Sequence, residues 1–134
     1  MKKRDGFLYV LRHPSRVFSD YGVLDSGKYL FKIGVTVRTV EIRLKQHNAD
    51  FTKVAGYYVK ETGLPWEVEQ VCAVPDTYAA ESIFWGHSPF ADMPGGSFIE
   101  IGVFTSEEVQ VALDAVLRLC NGSTKVSNAK KNQD

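Results

Sequence analysis

Tyr29-Leu30-Phe31-Lys32-Ile33-Gly34-Val35 is the stretch on which the reading of this chain turns, together with the earlier run Gly6-Phe7-Leu8-Tyr9-Val10-Leu11. Both runs are rich in aromatic and β-branched residues, the composition of strands. Asp25-Ser26-Gly27 supplies turn chemistry just before the later run, so that strand starts at about Lys28. Successive strand side chains point to opposite faces. Phe7, Tyr9 and Leu11 therefore share one face, and Leu8, Val10 and Arg12 the other. In the later run Tyr29, Phe31 and Ile33 oppose Leu30, Lys32 and Gly34. Apolar residues on both faces predict a central strand covered on both sides. Gly34 marks a close approach of another backbone or a ligand.

A helix is expected from Thr36 to Asn48, with Val37, Val40 and Leu44 at helical spacing and Thr36 or Thr39 as N-cap. It carries Arg43 and His47, four apart and so on one face. Residues 50–63 read as either a strand or a short helical segment around Val54–Val59. Trp66 to Val74 alternates as a third main strand. Asp76 caps a second helix from about Thr77 to Trp85, and that helix carries Glu81 amid apolar neighbours. Residues 88–96 form a loop, and Ser97–Ile101 a short strand. Thr105-Ser106-Glu107-Glu108 is a capping box opening a last helix to about Cys120. Val109, Ala112, Leu113, Val116, Leu117 and Cys120 form its buried stripe. The long connection from His13 to Gly27 holds a surface excursion around Val17-Phe18. The expected architecture is α+β: one domain over residues 1–120, then a disordered tail over 121–134 rich in Gly, Ser, Asn, Lys and Gln.

The totals narrow the class. At 134 residues, 44% apolar and 24% charged, the chain has the composition of an ordinary globular domain able to bury one core. Two cysteines are too few for a disulfide framework, so reduced thiols and a cytoplasmic location are expected. The apolar run after Met1-Lys2-Lys3-Arg4 is too short for a signal core, and no stretch approaches a membrane span. The net charge of zero hides an asymmetry. Residues 1–60 hold 12 Lys/Arg against 5 Asp/Glu, while the remainder holds 4 against 11. Either the first half meets an anionic partner, or the two halves intermix on one surface.

Single residues leave alternatives open. Lys32 either snorkels from a strand edge or serves a site. Arg43 and His47 form a solvated face or a functional pair. Glu81 lies at a solvent edge or is held to bind a metal. Cys72, Cys120 and His87 lack the spacing of a metal-ligand set.

Taken in order, Phe7-Leu8-Tyr9, a connection, Lys32-Ile33-Gly34, a helix with Arg43-x-x-x-His47 and a later helical Glu81 resemble the GIY-YIG endonuclease superfamily. Phe31-Lys32-Ile33-Gly34-Val35-Thr36 is similar to its phage-associated DNA-binding branch, where this motif reads Tyr-Lys-Ile-Gly-Lys-Thr. Glu81, His87 and Gly96-Ser97-Phe98 are similar to that branch's later pattern, with serine where glutamate is usual. The resemblance covers about residues 6–117. It implies a small antiparallel sheet flanked by helices and hydrolysis of DNA phosphodiesters at one divalent metal, Mg²⁺ or Mn²⁺. On that resemblance Tyr9 helps deprotonate the attacking water, Arg43 stabilises phosphate charge, His47 assists and Glu81 holds the metal. Lys32 replaces the family's first tyrosine of the second motif, and would contact phosphate or favour the phenolate of Tyr9. Two other readings accompany it: a DNA-binding module on the same scaffold without cleavage, and a protein-interaction domain using aromatics such as Trp66 and Trp85.

Overall fold

The computed structural model describes residues 5–86, 101–119 and 126–127. Four strands run antiparallel in the order β6 (Ile101–Thr105), β4 (Lys28–Thr36), β1 (Gly6–Arg12) and β5 (Glu67–Val74). A two-residue strand, β7 (Val126–Ser127), extends the β5 edge by pairing with Val71 and Cys72. It falls inside the stretch expected to be disordered; the rest of 121–134 lies outside the described residues. A separate two-stranded sheet, β2 (Val17–Phe18) with β3 (Gly22–Val23), is the excursion expected between β1 and β4. The class is thus α+β, a small antiparallel sheet flanked by helices.

The alternation in β1 and β4 divides the core in two. Leu8, Val10, Phe31 and Ile33 pack with α3 (Thr77–Trp85) and α4 (Ser106–Leu119). Tyr9, Leu11 and Leu30 pack on the other face with Val40 of α1 (Val40–Ala49) and Ala55 and Tyr58 of α2 (Val54–Thr62). β1 lies between β4 and β5 and is apolar on both sides because helices cover both. In β5 the alternation breaks. Val10 pairs with Gln70 but Leu11 with Val68, so one extra residue of β5 opposes β1 there. The bulge is why Val68 and Val71, an odd number apart, both join the α1/α2 side.

Several boundaries differ from the sequence reading. The first helix begins at Val40, not Thr36, because Thr36 still pairs with Phe7 at the end of β4. Val37 accordingly lies exposed rather than on the helix's apolar stripe. Thr39 occupies the N-cap position without a side-chain bond. The open segment around Val54 is helix α2, ended by Gly63 at φ 72°, the left-handed cap that glycine adopts without a Cβ clash. α3 runs as expected, with the Asp76 carboxylate accepting from the Tyr78 and Ala79 amides. The capping box is reciprocal: Thr105 N–H donates to Glu108 Oε1 at 2.9 Å, and Glu108 N–H to Thr105 Oγ1 at 3.1 Å. The strand before it, described over Ile101–Thr105, continues past the expected end at Ile101; residues 97–100 and Cys120 lie outside the described residues. Trp66 and Trp85 are buried, so neither offers an exposed surface to a protein partner. No helix among the described residues is long and apolar enough to cross a membrane.

Candidate functional site

The site forms where α1 and α2 cover the β4–β1 face. The inward stripe of α1 is Val40, Leu44 and His47, at helical spacing, so His47 is carried under the helix against the sheet. Tyr9 projects from β1 on that same face, and its hydroxyl lies 2.9 Å from His47 Nε2. Both side chains are buried. The tautomer of His47 sets which group donates.

Gly34 makes this bond reachable. It pairs directly with Tyr9 across the β1–β4 ladder. A Cβ on residue 34 would stand 2.4 Å from the Tyr9 hydroxyl oxygen and 2.6 Å from Cζ. The phenol ring therefore lies across the backbone of Gly34, in the space any other residue would fill. The close approach expected at this glycine is made by a side chain, that of Tyr9.

Beside this pair opens a pocket of about 980 Å³. Lys32, Arg43, Gln46, His47, Asp50 and Lys53 supply its polar wall, and Tyr21, Val54, Ala55, Tyr58 and Ile101 much of the rest. Lys32 is not at a strand edge. β4 is flanked by β1 and β6, and Lys32 pairs with Leu11 and Ile101 while only 4% exposed. Lys32 therefore does not reach water from a sheet edge but stands in the wall of the pocket. Arg43 Nη1 donates to Gln46 Oε1 at 2.8 Å. Its Nε is buried and meets no hydrogen-bond acceptor among the described residues. The guanidinium as a whole is a fork of donors suited to an anion.

Three cations against one carboxylate make the wall electropositive. That carboxylate, Asp50, is occupied: the Thr52 hydroxyl and amide both donate to Oδ1 and hold its pKa below the ordinary range. Every lining residue except Ile101 comes from residues 21–58. Three of the 12 lysines and arginines of residues 1–60 thus line this pocket.

The expected site residues divide. Lys32, Arg43 and His47 line the pocket, and Tyr9 stands behind His47 as its hydrogen-bond partner. Glu81 does not line the pocket. It rides on α3 with Ala80, Phe84 and Trp85, which pack into the core on the opposite face of the sheet. A divalent metal held by Glu81 beside Arg43 does not fit this donor set. Among the described residues no three His, Cys, Asp or Glu side chains gather into a metal site. Tyr21, Gln46 and Lys53 were not anticipated. Lys53 had only the charge asymmetry to announce it, and Tyr21 sits in the β2–β3 excursion, whose folding back is a tertiary event. Comparison with protein-family models, with curated proteins and with solved structures finds no match.

Proposed function

We propose that this chain is a GIY-YIG-like endonuclease acting on DNA phosphodiesters in the cytoplasm, with the pocket beside α1 as its site. The observation that supports it best is the pocket wall that brings the Arg43 guanidinium together with Lys32 and His47. A bridging phosphate offers the acceptor oxygens and negative charge that this wall lacks. Arg43 and Lys32 would hold the phosphate and the charge that builds on it. The His47 imidazole would take a proton from the attacking water as the water oxygen bonds to phosphorus. The phosphorus–oxygen ester bond then breaks, and the leaving alkoxide takes a proton from solvent. Tyr9 is a positioning residue: its hydroxyl fixes the His47 ring from behind.

One observation favours the second reading, a DNA-binding module that does not cleave: Glu81 stands apart from the pocket. Supercoiled plasmid incubated with the native chain in Mg²⁺, in Mn²⁺ and in EDTA separates the two. Nicking is expected, falling by about 10²–10³ in Arg43→Ala, as for loss of one transition-state donor. Glu81→Ala, compared with and without metal, reports whether that carboxylate takes part. Binding without nicking under every condition would support the module, and absence of any DNA binding would refute both readings.

A further inference from the structure

The pocket is far larger than one phosphate requires. Its volume of about 980 Å³ is at the upper end of what small-molecule sites enclose. It is also chemically divided. Arg43, His47 and Lys32 form a cationic wall, while Val54, Ala55, Tyr58 and Tyr21 provide apolar and aromatic surface. Tyr21 is held by ring contacts with Phe18 and Tyr58, both at 6.3 Å between centroids, yet remains 43% exposed. Phe18 and Tyr58 are themselves buried, so the Tyr21 ring stands on a fixed base with one side toward solvent.

We infer that the pocket takes one unpaired nucleotide of a DNA strand, its phosphate against Arg43 and Lys32 and its base against Tyr21. The inference rests on the phosphate reading above and deepens it. Charge complementarity assigns the phosphate to the guanidinium and ammonium. The aromatic surface suits a base, because every base has a π-face to stack. A base inside a duplex is already stacked on both sides and paired at its edge. It can meet Tyr21 only after leaving the helix, which costs least where the strand is single or mismatched. The substrate class is therefore single-stranded or locally unpaired DNA.

Affinity for three fluorescent probes at one salt concentration tests this: a single-stranded oligonucleotide, the same strand with its bases removed, and the corresponding duplex. The native chain should bind the intact strand about 5- to 150-fold more tightly than the base-free strand, the range that stacking of one base spans. It should bind the duplex less tightly than the intact strand. Tyr21→Ala should lower the intact strand to the base-free level and leave base-free binding unchanged, while Tyr21→Phe keeps the preference. Equal binding of intact and base-free strands, or a duplex bound as tightly as the single strand, would overturn the base subsite alone. A Tyr21→Ala loss shared equally by both strands would do the same. Failure of all three probes to bind would overturn the phosphate pocket with it.

Discussion

Replacing Gly34 by alanine tests the local geometry on which the site depends. The added Cβ would meet the Tyr9 hydroxyl oxygen at 2.4 Å, Cζ at 2.6 Å and Cε1 at 3.1 Å. The ring cannot swing away freely, because Tyr9 is 1% exposed and packed among Leu11, Leu30 and Val40. Overpacking of this kind costs about 1–3 kcal/mol. If the phenol is displaced, its bond to His47 is lost as well, at roughly 0.5–1.5 kcal/mol. Against this, alanine in a strand interior is favoured over glycine by roughly 0.5–1 kcal/mol. The clash outweighs the gain, and the net loss should be about 1–3 kcal/mol. With an unfolding entropy of roughly 2.1 cal/mol/K per residue over 134 residues, that lowers Tm by about 4–11 °C. Calorimetry on Gly34→Ala, Tyr9→Phe and the double variant measures it. Tyr9→Phe removes the nearest clashing atom but not Cζ, so it should recover part of the loss. The double variant should then be more stable than the two single effects predict, by about 0.5 kcal/mol or more. A Gly34→Ala protein melting within about 1 °C of the native chain, or strict additivity, would show that the Tyr9 ring does not lie across Gly34.

Two further outcomes follow from the same reasoning. His13 is fully buried; Ser15 N–H donates to its Nδ1, and its Nε2 bonds the Leu64 carbonyl. Burial lowers its pKa from 6.5, outweighing the opposing pull of the Leu64 carbonyl and the charges of Glu67 and Glu61. Between that lowered pKa and 6.5 the unfolded chain binds the extra proton, so stability is fully present above 6.5 and declines as pH falls through this window. Thermal melts from pH 7.5 to 5 should show a shallower decline in His13→Gln than in the native chain, and parallel declines would contradict the assignment. At the start of α3, Asp76→Ala removes the acceptor for the Tyr78 and Ala79 amides and should cost about 1 kcal/mol. Denaturant melts should show a lower midpoint with unchanged slope for Asp76→Ala, and near-native stability for Asp76→Ser.

The one-dimensional pattern by itself determined much here, because local rules carried it. Strand alternation grouped Tyr9 with Phe7 and Leu11 and, separately, Lys32 with Leu30 and Gly34; turn and cap residues located β4, α3 and α4, and helical spacing put Arg43 and His47 on one face. It failed where partners lie far away in the chain. The pairing of Thr36 with Phe7 delayed α1, and the bulge opposite Val10 and Leu11 reversed the facing of part of β5. Nothing local separates a helix that covers one sheet face from a helix that covers the other. Only the packing of the two layers decided that His47 meets Tyr9 while Glu81 stays with the opposite core, and that Tyr21 returns to the pocket. Those choices depend on which apolar surfaces bury one another, a property of the assembled layers rather than of any segment.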